Sequence, residues 1–252
     1  MNFYRRGGLA AVPGWTNFKY QFFAEALHLC YNIIDFMNKH FRQDMFTLLI
    51  IAFLVLFPHF VPLPFYSYAI VCLGVIIFYL RRQNKTLRDL RLKRNGLTAH
   101  TFVVGIVSAL LWVAFNKWVY HPLIMHFFVV EPYTEYDFIR NKLSNLIITI
   151  IAAWIIGGFY EEIVFRGFIQ TKIQEWFIKY KYAFWLSGLF TSCLFGLYHW
   201  QQGIFGIVPS FLGGILWTFL LWRYKGNLWY PIISHAVYDT IALMMIYFGV
   251  II

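Results

Sequence analysis

The chain has 252 residues, 60% of them hydrophobic and only 13% charged, with a formal net charge of +10; an ordinary soluble domain carries roughly 25% charged residues. A soluble domain of this size cannot hide so much apolar surface, which excludes a disordered chain, a secreted disulfide scaffold and a soluble enzyme, and leaves a polytopic membrane protein. The basic balance reads as Lys and Arg gathered in cytoplasmic loops, with no nucleic-acid module. The three cysteines, Cys30, Cys72 and Cys193, are too scattered for a disulfide framework or a metal cluster.

In chain order, the start runs from Arg5 and Arg6 into Gly and Pro rather than into an apolar core, so no cleaved signal peptide is expected. Residues 1–44 read as an interfacial segment. Within it, residues 18–41 mix aromatics with Glu25, His28 and Asp35, the pattern of an amphipathic helix lying on the membrane. Residues 45–252 read as one transmembrane domain. Its apolar stretches, at 45–60, 64–80, 100–120, 143–160, 182–199, 204–222 and 228–252, approach the roughly 20 residues that span a bilayer. The first two are short and joined across Pro58, Pro62 and Pro64, as a hairpin. The expected fold is therefore all-α: a membrane helical bundle of about seven transmembrane helices plus the N-terminal amphipathic helix.

Loop charge orients this bundle. The basic stretch 81–94, opposed only by Asp89, belongs in the cytoplasm beside anionic lipid. The connection carrying Glu131, Glu135 and Asp137 then lies outside. Lys172, Lys179 and Lys181 are inside again, as are Arg223 and Lys225. The alternation puts the N-terminus in the cytoplasm and the C-terminus outside.

Only four acidic residues fall within 143–252: Glu161, Glu162, Glu175 and Asp239. Ionisable groups in membrane segments are costly and mark functional sites by default. Glu162 and Arg166 are four apart, so they share a helical face and pair, or else mark the water interface. Glu161 is rotated by about 100° and is left free. His199 closes the fifth span, in Phe195-Gly-Leu-Tyr-His199, where a lone histidine is more often interfacial than catalytic. His235 and Asp239, four apart in the last span, are placed to hydrogen-bond, either as a catalytic pair or as packing glue. The turn centred on Tyr180 lies 19 residues after Glu161 and 19 before His199. An antiparallel hairpin would hold the two at one depth. His235, close behind the Arg223/Lys225 loop, joins them only if that hairpin projects into the cytoplasm, with breaks after His199 at Gly203, Gly206, Pro209, Gly213 and Gly214.

Glu161-Glu162-x-x-x-Arg166, then Phe195-x-x-x-His199, then His235-x-x-x-Asp239 resembles, in that order, the motif set of the CPBP family, the CAAX proteases and bacteriocin-processing proteins also called Abi. The match covers residues 143–252. The resemblance implies an intramembrane endopeptidase acting on a membrane-associated peptide or protein. Glu161 would activate water, His199 would help hold it, His235 and Asp239 would stabilise the oxyanion, and Glu162, Arg166 and Phe195 would orient the rest. Asp239 departs from an Asn variant of the pattern: an ionised Asp cannot donate to an oxyanion, so it would act protonated, orient His235, or bind a metal. The expectation is a site without cofactor. The alternative is Zn²⁺ held from among Glu161, His199, His235 and Asp239. A second functional reading is a non-catalytic immunity or scaffold protein of the same family. Membrane lipid is the expected surrounding, in a bacterial inner membrane.

Overall fold

The computed structural model describes residues 41–61, 66–128 and 137–250. The expected amphipathic helix, the turn of the first hairpin and the Glu131/Glu135 connection lie outside these residues. By packing, the chain divides into two compact units, Met1–Ile50 and Ile51–Ile252, and all three motifs lie in the second.

Among the described residues each apolar stretch read from the sequence forms a helix, and there is no strand. The helices are α1 (Phe41–Phe60), α2 (Tyr68–Arg82), α3 (Ala99–Phe127), α4 (Leu143–Trp176), α5 (Ala183–Tyr198), α6 (Ile204–Arg223) and α7 (Trp229–Tyr247). Four of them, α1, α3, α4 and α6, are long and apolar enough to cross a membrane. At 15 and 16 residues, α2 and α5 are only about 22–24 Å long against a hydrocarbon core of roughly 30 Å. α7 has the length, but Ser234, His235 and Asp239 lower its hydropathy.

Local chemistry sets the ends. α3 starts at a reciprocal cap, the Thr98 hydroxyl accepting from the Thr101 N–H while the Thr101 hydroxyl accepts from the Thr98 N–H. In the loop before it, the Thr86 N–H and hydroxyl both donate to Asp89, holding that carboxyl below its ordinary range. α5 stops at a short 3-10 turn, Trp200–Gln202, released by Gly203 at φ +62°.

That turn is the break expected after His199, but the expectation went too far downstream. α6 runs without interruption through Gly206, Pro209, Gly213 and Gly214. These glycines serve close approach instead. A Cβ at Gly214 would sit 2.9 Å from the Ser192 side chain and 3.0 Å from Arg166 Nη2. α5 and α6 therefore pack at a distance that only small residues allow. α3 and α4 pack against α7 in the same way, through Gly105 and Gly158.

α4 extends to Trp176, well past the expected limit of its span, and 15 of its residues are π-helical: Trp154–Glu161 and Ile163–Ile169. π turns usually occur singly and often at functional sites. Here Glu161 closes the first segment and Glu162 lies between the two. The burial pattern is that of a membrane protein. Leu111, Ile148, Ile151 and Phe190 face outward while Glu162, Arg166, Gln170, Ser192 and Ser234 are fully buried. The fold is a polytopic membrane helical bundle, as its hydropathy required.

Candidate active site

Glu162 is the hub of the site. Its Oε1 accepts from Arg166 Nη1 at 3.1 Å and from His235 Nδ1 at 2.9 Å, and both Glu162 and Arg166 are 0% exposed. The Glu/Arg pair therefore exists as the spacing required, but it lies in the core and marks no water interface. On an ideal helix the adjacent Glu161 would turn about 100° away. The wider π turns carry both carboxylates inward, and Glu161 is itself buried at 7% exposure.

The Arg166 guanidinium is boxed by aromatic rings, 4.2 Å from the Phe195 centroid and 5.0 Å from that of Trp217. Trp217 also stacks on the His235 imidazole at 3.8 Å and 21°. Its indole N–H donates to the Ser234 hydroxyl, which accepts from Ser108 on α3. His235 is thus fixed from three sides: Glu162 on Nδ1, Trp217 on one ring face, Phe195 edge-on.

With Nδ1 committed to Glu162, Nε2 is the free edge. It faces Asp239 Oδ2 at 3.7 Å and Glu161 Oε2 at 3.9 Å. Both separations are too long for a direct hydrogen bond and suit a bridging oxygen. The direct His235–Asp239 bond expected from the spacing is therefore not formed, because Glu162, reached from another helix, orients the ring instead. Two carboxylates from α4 and α7 converge on one imidazole nitrogen across gaps of 3.9 and 3.7 Å; Glu161 and His235 are buried and Asp239 is part-exposed.

His199 reaches this centre through Phe195, whose ring lies 4.7 Å from the His199 centroid and 5.8 Å from that of His235. The His199 Nδ1–H donates to the Phe195 carbonyl at 2.9 Å. A carbonyl only accepts, so neutral His199 presents Nε2 as a lone pair. Neutral Nε2 atoms are what a metal would require. Among the described residues, however, no group of three or more His, Cys, Asp or Glu side chains is arranged to hold a metal ion.

Residues 143–241 match the family model described as type II CAAX prenyl endopeptidase, Rce1-like. The resemblance carried by the three motifs holds over this Rce1-like segment. The chain is also 28% identical over 178 residues to "Putative membrane peptidase YdiL" of Bacillus subtilis (strain 168), covering 70% of this chain and 68% of that one. It is 28% identical over 115 residues to an uncharacterized 24.3 kDa protein of Escherichia coli, covering 45% of this chain and 51% of the other. An uncharacterized protein of Mycoplasma capricolum is 29% identical over 107 residues, covering 42% of this chain and 30% of its own length. No solved structure matches the chain.

Around these motifs, sequence reasoning missed three contributors. Trp217 carried a signal, an indole N–H in mid-span that must find a partner when buried. Ser108 carried none. Gly157 carried a faint one, next to Gly158 and four residues before Glu161: a Cβ there would collide with the Asp239 carboxylate and approach His235 Nε2 to 3.8 Å. The absence of that Cβ keeps the gap open.

Proposed function

We propose that this chain is an intramembrane endopeptidase that hydrolyses a peptide bond of a membrane-associated substrate through a Glu-activated water. The observation that carries the reading is the convergence of Glu161 and Asp239 on His235 Nε2, with Nδ1 held by Glu162. A water in that gap lies within reach of Glu161, which takes its proton as the oxygen attacks the scissile carbonyl. His235, tied through Nδ1–H to a carboxylate, is stabilised as an imidazolium, whose Nε2–H then donates to the developing oxyanion. Asp239 borders the same gap and sets the charge facing Nε2. The lone pair on His199 Nε2 suits it to accept from the attacking water. Arg166 offsets the charge of Glu162, so that Glu162 orients the imidazole without joining the chemistry. Membrane lipid surrounds the bundle and the substrate is a peptide or protein. The Rce1-like match supports the peptidase reading.

The experiment compares the membrane proteome of cells expressing the wild type with that of cells expressing Glu161→Gln. The amide keeps the shape but does not take a proton from water. New protein C-termini should appear with the wild type and vanish with the variant at equal expression. Cleavage that persists in the purified variant refutes the general-base assignment, and identical proteomes favour a non-catalytic binding role.

A further inference from the structure

Away from the motifs, the loop before α3 and the loop between α6 and α7 line an open cavity of about 380 Å³. Lys93, Arg223 and Lys225 line it, over a floor that includes Asn227, Tyr224 and Tyr230. Four bonds lock the two loops together. The Leu228 N–H donates to the Arg91 carbonyl, the Trp229 indole to the Lys93 carbonyl, the Asn227 amide to the Gly96 carbonyl, and Lys93 Nζ to the Lys225 carbonyl. The Tyr224 and Tyr230 rings stack at 3.8 Å and 5°, and Tyr230 shares a 2.8 Å hydrogen bond with His100 of α3.

The cations are exposed, the floor residues Asn227 and Tyr230 are buried, and no acidic residue lines the cavity. None of the three cations belongs to an ion pair among the described residues. Three positive charges held around a preformed polar floor, with no acidic partner among the described residues, call for an anion. The location says which. Arg223 is the last residue of α6, and α3 begins only a few residues after Asn95. Both helices are candidate membrane spans, so the cavity opens where they leave the hydrocarbon, at headgroup level, beside the interfacial ring of Trp229.

We propose that this cavity binds the phosphate of an anionic phospholipid. A zwitterionic lipid brings its own ammonium group, which the three cations repel, whereas a phosphoglycerol headgroup brings a net negative charge. The site has a structural consequence. Tyr230 and Asn227 fix the first turn of α7, and His235 lies five residues beyond Tyr230, so an occupied cavity holds in place the helix that carries His235. Lipid binding itself does not depend on the peptidase reading.

The test uses the purified full chain in neutral detergent. Thermal unfolding is followed with phosphatidylglycerol, with phosphatidylcholine and with inorganic phosphate, and retained lipid is counted by native mass spectrometry. Three proteins are compared: wild type, the cavity triple Lys93→Gln/Arg223→Gln/Lys225→Gln, and a charge-matched control, Arg81→Gln/Arg88→Gln/Lys179→Gln, at exposed positions outside the cavity. Phosphatidylglycerol should raise the melting temperature of wild type and control but not of the cavity triple, and should remain bound to those two alone. Affinity should fall roughly fivefold per cation removed, on the order of a hundredfold for all three. Equal shifts with phosphatidylcholine, equal losses in both triples, or a full effect from inorganic phosphate would each overturn the proposal, the last by replacing lipid with a free anion.

Discussion

Glu162 accepts from Arg166 and His235 on one oxygen at zero exposure, so its neighbours do not change independently. Arg166→Ala leaves the Glu162 carboxylate with His235 as its one remaining partner in a low-dielectric core, and removing one partner of a buried pair costs up to about 3–5 kcal/mol. The variant should melt well below the wild type, by a margin that an unfolding scan reads directly. An unchanged melting temperature would contradict the pairing. Asp239 answers a different question. It lies 3.7 Å from His235 Nε2 without a direct bond, so Asp239→Asn removes charge from the gap while leaving the Glu162 anchor of the ring intact. Substantial activity should remain, since an amide donates without needing a proton. Metal analysis on wild type, variant and chelated protein accompanies the assay. Loss of activity on chelation with recovery on Zn²⁺ would reverse the metal-free reading.

On the element scale, the two glycines before Glu161 separate function from packing. A Cβ at Gly157 meets the tip of Asp239, which is free to swing away, whereas a Cβ at Gly158 meets Ala236 Cβ at 2.6 Å and the Ile232 carbonyl at 3.1 Å, the body of α7. Gly157→Ala should therefore keep the wild-type melting temperature and lose most activity. Gly158→Ala should cost about 1–3 kcal/mol by overpacking the α4–α7 contact. Equal effects of the two substitutions would mean that the chemistry does not depend on the gap beside His235 Nε2. The contrast also marks how far the sequence could be read. Apolar runs gave the helices, because membrane hydropathy leaves few alternatives. The four-residue spacing gave the Glu162–Arg166 pair. The π turns left no trace in a mostly apolar run, since the flanking residues are hydrophobic in either geometry. Without them Glu161 could not be placed beside Glu162, and the hydrogen bond from His235 to Glu162 crosses between helices 73 residues apart in sequence, beyond the reach of any local pattern.

For the whole molecule, the basic loops gather at one end. Lys85 meets Glu175 at 3.4 Å, Arg91 bonds to Gln174, and Lys93 bonds to the Lys225 carbonyl. The stretch after α2, the end of α4 and the α6–α7 loop thus share a face of the bundle, as the alternation of loop charge demanded. His235 lies only six residues into α7 yet bonds to Glu162, fourteen residues before the end of α4; the α4–α5 hairpin therefore extends past the start of α7 on this basic side. Because Lys and Arg are retained on the cytoplasmic side during insertion, we expect that face inside the cell and Asp137 outside. The prediction is a labelling pattern. In a background with Cys30, Cys72 and Cys193 replaced by Ser, Lys85→Cys should react with an impermeant maleimide only after the cytoplasmic face is opened. Asp137→Cys, exposed before α4, should react on intact cells. The opposite pattern would invert the bundle and carry the Glu161–His235 centre to the other half of the bilayer. Labelling of both positions from one side would break the alternation itself, and would require α3 to return to the face from which it started.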